Sequence, residues 1–418
     1  MSNSANKILV IVESIDVDDS SASKMNVAII KNLKQLGYNL QVFHYTRKQI
    51  QLEDIKCVSI IELKTNGYYL LSRFQRLIQR LLKLNFSNAL GNLFGFSFTY
   101  INDVNSISKA VNEELKTNSY ELIITLSKGA SFRVHKAVLK IPTAHAKWMA
   151  YIHDPYPFCY YPKPYDWHEP GYKKKIIFFK KVSESAKYSA FPSQLLKEWM
   201  SHYFPSFENT ALIIPHQINH SNINIKELPT FYDETKFNLL HAGNLLKQRD
   251  PKGLIEGYQL FLERNPDAKN TSKLLFLGPA SYHEKMLLEN CVNCPQIFWS
   301  KGNVPFDIVY TIQQKANVNI IMEAKAAISP FLPGKFPHCV TAKKPILHLG
   351  PENSETRRLL GKQYPYVSEI DQTEDIANAI THLYLAWSEN KEVTLDRSDL
   401  ENYVGLDFLN TQIKKCLT

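Results

Sequence analysis

The chain has 418 residues, of which 44% are hydrophobic and 21% charged, and a formal net charge of +9. At roughly 100–200 residues per domain this length fits two or three domains, and the apolar content excludes a disordered chain. The positive excess sits mainly in residues 68–98 and 163–187, each with a local +4; the near balance elsewhere argues against a surface coated in charge for nucleic acid.

The N-terminal stretch has no basic region followed by a long apolar one, so no signal peptide is expected. No window approaches the ~20 continuous apolar residues of a membrane-spanning helix. Six scattered Cys suit a reducing compartment, and the Cys291/Cys294 pair has no second ligand pair at zinc spacing. The expected location is the cytoplasm.

In chain order, Lys7-Ile-Leu-Val-Ile-Val-Glu13 reads as a buried parallel strand. A helix follows, with Val27, Ile30, Leu33 and Leu36 on one face and Gly37 at its stop. Leu40-Gln-Val-Phe-His44 completes a βαβ unit. The alternation continues through strands at Glu121–Thr125, Trp148–Ile152, Tyr188–Phe191 and Leu212–Ile214. Residues 219–235 turn polar and Pro-containing and read as a linker. A second alternation begins at Phe237–His241 and runs through a helix at 251–264 and strands at Leu274–Leu277, Val318–Ile321 and Lys344–His348. Residues 373–390 and 397–416 have helical patterns. The expected division is an N-terminal domain 1–218, a linker 219–235, a second domain 236–385 and a C-terminal helical segment 386–418.

Two loops carry chemistry. In His241-Ala-Gly-Asn-Leu-Leu-Lys-Gln-Arg-Asp-Pro251 a strand ends at Gly243, a polar loop carries Lys247 and Arg249, and Asp250-Pro251 opens a helix. Backbone N–H groups and a cation at a helix start form a phosphate site; the alternative is an ordinary turn with solvated charges. In Ser329-Pro-Phe-Leu-Pro-Gly-Lys335 a Pro/Gly loop delivers Lys335 to the start of a helix, where an ammonium suits a diphosphate; the alternative is a Pro-rich surface loop. Ligands of open parallel sheets collect beyond the carboxyl ends of the strands, which is where both loops fall.

With these residues the second half resembles the donor-binding domain of GT-B glycosyltransferases, in particular the group with glycogen synthase-like and polysaccharide-building enzymes. Gly243-Asn244-Leu245 stands at that group's Gly-Arg-Leu strand end, with Asn244 in place of the Arg, and Arg249 stands where the group has Lys. Counting back from Pro345-Ile346 puts Pro330 and His338 at the two positions of the group's Glu pair, so both acids are replaced. Lys335-Phe-Pro-His338 resembles the Lys-x-x-Glu form of a bacterial subset. The resemblance covers about 237–350 and implies that Gly243, Asn244, Arg249 and Lys335 bind a donor diphosphate. It implies further that Gly302, Asn303, Val304 and His338 lie at the base and ribose. Glu323 and Lys325 read as surface charges and carry no assignment.

The first half matches that family mainly in layout. In Tyr151-Ile-His-Asp-Pro-Tyr-Pro157, His153 and Asp154 follow a strand, and the family often has a His there touching the transferred sugar. His153 is thus a candidate for sugar contact and Asp154 for orienting the imidazole or acting as a base; a structural His with an N-cap Asp is the alternative. Ser193 reads as a helix N-cap, and Pro215-His-Gln217 as a strand end. In Leu70–Leu84, Leu70, Leu71, Phe74, Leu77, Ile78, Leu81 and Leu82 form one helical stripe, with Arg73, Arg76, Arg80 and Lys83 on the other side and a Phe-rich continuation from Phe86 to Phe98. A basic amphipathic helix is a candidate membrane-surface element, and Lys174 and Lys175 in a second basic run join it; a core-facing helix with a solvated basic side is the alternative.

The expected fold is α/β, with two Rossmann-like domains facing a cleft and C-terminal helices packing back on the first domain. The expected activity is sugar transfer from a nucleotide diphosphate-sugar, without a metal or other cofactor, to an acceptor such as a lipid-linked glycan of the cell surface. An anionic membrane is an expected peripheral contact and nucleic acid is not. A nucleotide-sugar epimerase of the same fold, or a non-catalytic membrane-associated assembly protein, are the alternatives.

Overall fold

A computed structural model describes residues 6–83, 87–218 and 227–417. The first part of the expected linker, 219–226, lies outside the described residues, as do Leu84, Phe86 and the side chain of Leu82. The described chain forms two compact units: residues 6–161, 166–218 and 405–417 in one, and 162–165 with 227–404 in the other.

The first unit is built on seven strands, β1 (Lys7–Val12), β2 (Asn39–His44), β3 (Lys56–Ser59), β4 (Leu122–Leu126), β5 (Trp148–Tyr151), β6 (Tyr188–Phe191) and β7 (Ala211–Ile213), in the order β3-β2-β1-β4-β5-β6-β7. Every pairing is parallel. Parallel strands are covered by helices on both faces, so an unbroken apolar run is what they require. β1 shows it directly: Leu9 and Ile11 enter one core, while Ile8, Val10 and Val12 enter the core on the opposite face. Between these strands run the helices α1 (Ser21–Gln35), α2 (Gly67–Leu82), α3 (Ser87–Phe94), α4 (Phe98–Thr117), α5 (Arg133–Leu139), α6 (Tyr172–Ser185), α7 (Gln194–Tyr203) and the short α8 (Phe207–Thr210). Ser193 caps α7 as its sequence suggests, accepting the Leu196 N–H at 3.0 Å.

The second unit contains β8 (Phe237–Ala242), β9 (Ser272–Leu277), β10 (Ile297–Trp299), β11 (Val318–Met322), β12 (Ile346–Leu349) and β13 (Val367–Ser368), again all parallel, in the order β10-β9-β8-β11-β12-β13. Helix α9 (Lys252–Arg264) follows β8, and the Asp250 carboxylate accepts the N–H of Lys252 at its start. The helix Thr373–Ser388 packs on the same core through Ile376, Ile380 and Leu383. The last helix, Leu406–Leu417, belongs to the first unit: Leu409, Ile413 and Cys416 join its core, and the Tyr38 hydroxyl donates to Asn410 at 2.8 Å. No helix among the described residues is long and apolar enough to cross a membrane.

In both sheets the strand order reverses once, between β1 and β4 and between β8 and β11. Such a switch point opens a crevice at the carboxyl ends of the strands.

One helix inverts the ordinary arrangement. α2 buries Ser72 (2% exposed) and shows Leu70 (62%), Phe74 (61%) and Leu81 (71%) to solvent. The core-facing alternative for its apolar stripe is therefore excluded. Its neighbour α3 is clamped to the start of α6 by glycines. A Cβ on Gly171 would stand 2.2 Å from the Gly91 carbonyl oxygen, and one on Gly95 2.7 Å from the Lys174 Cβ. Only a bare backbone permits that approach.

Candidate functional site

At the second switch point the backbone is drawn together first. Gly243 and Gly278 end β8 and β9 with φ of 140° and 142°. A Cβ on Gly278 would stand 2.4 Å from the Gly243 oxygen. Ser300, past β10, accepts the Gly278 N–H at 3.0 Å and donates to the Gly302 carbonyl at 2.7 Å. The loops bearing Gly243, Asn244, Gly302, Asn303 and Val304 are thus joined by this chain of contacts. Gly243, Asn244 and Asn303 are exposed, and Gly302 and Val304 half-buried.

Lys335 reaches the seam between β8 and β11. Its ammonium donates to the Ile320 carbonyl at 2.9 Å and lies 3.2 Å from Nδ1 of His241. Burial, with Arg249 opposing and Glu323 supporting the charge, lowers the Lys335 pKa to about 7. His241 is held well below its ordinary value by burial and then by the cations Lys335 and Arg249, so it is a neutral imidazole beside an ammonium. The guanidinium Nε of Arg249 is buried without a hydrogen-bond partner. Two cations, Lys335 and Arg249, thus face the same switch point.

His338, three residues past Lys335, is buried against the edges of Phe306 and Tyr310, each at 5.5 Å between ring centres. Burial pushes its pKa down to about 4, and its Nδ1 has no partner. Pro330 is buried. Glu323 corrects the sequence reading of a surface charge: it is 3% exposed, accepts from the Thr356 hydroxyl at 2.6 Å and faces His348 Nε2 at 3.2 Å. Lys325 is exposed and paired with Asp371. His241 and Glu323 are the residues that pattern reading left out. Both end strands flanking the switch point, and that position was the available signal.

In the first unit, His153 is buried past β5. Its Nε2 lies 2.9 Å from Asn26 Oδ1, and Asn26 donates through Nδ2 to the Ser127 carbonyl at 2.9 Å. That second bond fixes the amide so that its oxygen faces the imidazole. Nε2 therefore carries the proton, and Nδ1 is left without a partner. Burial, then His216 and His135, hold His153 well below the ordinary histidine pKa. The expected orienting role of Asp154 is corrected: Asn26 on α1 orients the ring, and Asp154 is half-exposed beside Gly129. At the first switch point Glu13 accepts from the Lys128 N–H at 3.2 Å, from the Ser131 hydroxyl, and from Arg133 at 2.5 Å. Arg133 also meets Asp103 at 3.1 Å.

Of the basic residues assigned to a membrane surface, Arg73, Arg76, Arg80 and Lys174 are exposed. The Arg76 guanidinium folds back on the Ser72 carbonyl at 3.2 Å, and Lys174 donates to the Leu93 carbonyl. Lys175 is a correction. It turns inward to Glu169, and both side chains are 14% exposed, because the carboxylate comes from the turn preceding α6.

No protein-family model matches the chain, and no curated protein sequence matches it. Solved structures do. A glycosyltransferase from Rickettsia africae is 13% identical, with a TM-score of 0.61 over 99% of this chain and 98% of that one. Anabaena HepE in complex with UDP and glucose is 12% identical, with a TM-score of 0.61 over 99% of both chains. A UDP-forming α,α-trehalose-phosphate synthase from Burkholderia vietnamiensis is 12% identical, with a TM-score of 0.62 over 99% of both. The GT-B fold expected from the sequence is therefore the fold of this chain. Among the described residues no group of three His, Cys, Asp or Glu side chains is placed to hold a metal ion.

Proposed function

We propose that this chain is a glycosyltransferase using a nucleoside diphosphate-sugar. The observation that carries the reading is the convergence of Lys335 and Arg249 on the switch point of the second sheet. In the transfer, the bond from the anomeric carbon to the diphosphate oxygen breaks and one from that carbon to an acceptor hydroxyl oxygen forms. The hydroxyl's proton passes to solvent, and the diphosphate leaves with added negative charge. Preorganised cations stabilise charge as it develops on the leaving group. Lys335 and Arg249 take that task, the Gly243–Asn244 and Gly302–Val304 loops flank the nucleotide, and His338 stands at the ribose. His153, whose Nδ1 has no partner in the protein, is assigned to a hydroxyl of the transferred sugar. The structures of similar fold include one holding UDP and glucose and one described as UDP-forming, which supports UDP as the first donor to try.

The acceptor in this reading is a lipid-linked glycan, taken at the cytoplasmic face of an anionic membrane. The support is α2, which exposes its leucines beside Arg73 and Arg80.

Isothermal titration with UDP, GDP and their sugars tests the donor site. Binding to at least one, weakened tenfold or more in Lys335→Ala and Arg249→Ala with the fold retained, is the expected result. Absence of binding to all of them by folded protein overturns the reading. Sugar transfer undiminished by EDTA is expected of a leaving group held by these two cations.

A further inference from the structure

Arg249 comes to the switch point on a loop whose Gly243, Asn244, Lys247 and Asp250 all face solvent. Little bulk packing holds such a loop, so its hydrogen bonds decide where the guanidinium points. The Leu245 N–H donates to the Pro279 carbonyl at 3.0 Å, and the Leu245 side chain is buried in the core. Beyond it the chain turns. The Arg249 N–H donates to the Leu246 carbonyl at 2.9 Å, and the Asp250 carboxylate accepts the Lys252 N–H at 3.0 Å.

One side chain from another loop braces this turn. His283 immediately precedes the helix Glu284–Asn293 and is 8% exposed. Its backbone is fixed on both sides: its N–H donates to the Ala280 carbonyl at 2.8 Å, and its carbonyl accepts the Leu287 N–H at 3.0 Å. Its Nε2 lies 3.1 Å from the Leu246 carbonyl oxygen, and its Nδ1 lies 3.8 Å from the Asp250 carboxylate. A carbonyl only accepts, so Nε2 carries a proton and donates it. The ring therefore meets both ends of the segment 246–250, with Arg249 between them. A cation that stabilises a leaving group works best when it is in place before the charge develops. A guanidinium on an unbraced loop loses freedom when the anion arrives, and that ordering weakens binding. A fixed imidazole removes the cost beforehand.

We infer that His283 is a positioning residue, whose hydrogen bond to the Leu246 carbonyl sets the turn that aims Arg249 at the nucleotide diphosphate. The inference rests on the glycosyltransferase reading and adds to it a residue that acts through Arg249.

The probe is UDP, or GDP where only that binds, titrated calorimetrically. His283→Leu, which has no donor, weakens binding about fivefold, in the range of one lost hydrogen bond. His283→Gln, whose amide nitrogen reaches the same carbonyl, restores most of the affinity. His283→Asn, whose amide nitrogen stops short of Leu246, matches the Leu variant and serves in its place should that one not fold; urea unfolding identifies the folded proteins. A side chain that merely supports the fold lowers affinity in every background. Here the loss persists in Lys335→Ala and disappears in Arg249→Ala, where no guanidinium is left to aim. Wild-type affinity in the Leu and Asn variants, a Gln variant as weak as the Leu one, or an undiminished loss in the Arg249→Ala background overturns the inference. Binding that falls with Arg249→Ala but ignores His283 removes only this brace. Nucleotide binding absent from the wild type, or indifferent to Arg249→Ala, strikes the donor site itself and the brace with it.

Discussion

Nδ1 of His241 and the Lys335 ammonium lie 3.2 Å apart at the seam of β8 and β11. Burial, with Arg249 adding to it, lowers the Lys335 pKa to about 7, and burial with the cations Lys335 and Arg249 keeps His241 neutral. A bound diphosphate reverses this by favouring the charged ammonium. Nucleotide binding above about pH 7 therefore takes up a proton, and affinity falls as pH rises, by at most about tenfold per unit for one linked proton. Lys335→Arg, which does not titrate, flattens the profile, and Lys335→Met flattens it at lower affinity. The nucleotide's own ionisation is common to all three proteins. Calorimetric titration of UDP from pH 6 to 9 checks this; a flat wild-type profile contradicts it. The sign for stability is the opposite. Between about 7 and the ordinary lysine value the unfolded chain holds a proton that the folded one lacks, so the contribution of Lys335 to stability improves as pH rises through that window.

Gly278 is the test of the backbone crossing. An added methyl meets the Gly243 carbonyl at 2.4 Å, on a residue already at φ 142°. Gly278→Ala should destabilise by roughly 2–4 kcal/mol and weaken nucleotide binding by moving the Gly243 loop. Gly302 meets nothing within 4 Å and is not at positive φ, so Gly302→Ala is the neutral comparison, within about 0.5 kcal/mol. Urea unfolding of both variants decides the matter, and equal stabilities would contradict the crossing.

Glu323 is held as a carboxylate in the core. Burial opposes its charge, but His348 and the hydroxyls of Ser329 and Thr356 outweigh it, and its pKa is lowered. Removing one member of a buried charged cluster costs about 3–5 kcal/mol, which is the expectation for Glu323→Ala. Glu323→Gln keeps the Thr356 bond and costs less. A depressed acid contributes stability above its unfolded value, near 4.3, and loses it as pH falls through the folded one. The gap between wild type and Glu323→Gln should persist at pH 6 and narrow below about pH 4. A gap that widens in acid contradicts the assignment.

The strands that the sequence revealed are the long, fully buried ones, such as β1 and β8, where helices on both faces demand an unbroken apolar run. The missed strands are β3 and β13, edge segments of four and two residues with mixed burial, too short for a period to show. The donor-side loops were legible because Gly, Pro and a cation punctuate the end of a strand. His241 and Glu323 were not. Each reads locally as one more strand residue or surface charge, and their roles come from Lys335, His348 and Thr356, which lie 25–94 residues along the chain. Asn26 was hidden for the same reason, sitting 127 residues before the imidazole it orients. Lys175 misled because helical periodicity says nothing about a carboxylate in the preceding turn.

The exposed leucines of α2 make its charges testable against its apolar face. Arg73 and Arg80 project from the helix, whereas Lys175 is turned inward on Glu169. Flotation with vesicles containing phosphatidylserine should therefore weaken about fivefold for each of Arg73→Gln and Arg80→Gln, and fall with salt as the Debye length shortens. Lys175→Gln should leave flotation unchanged. Leu77→Ser/Leu81→Ser should weaken it at every salt concentration, since apolar contact is not screened. Both basic and apolar variants must lose binding, because a helix held by charge alone would ignore the leucines. Flotation that survives Arg73→Gln/Arg80→Gln, or binding to neutral vesicles equal to that on anionic ones, removes the membrane role and leaves α2 as a face for some other apolar partner.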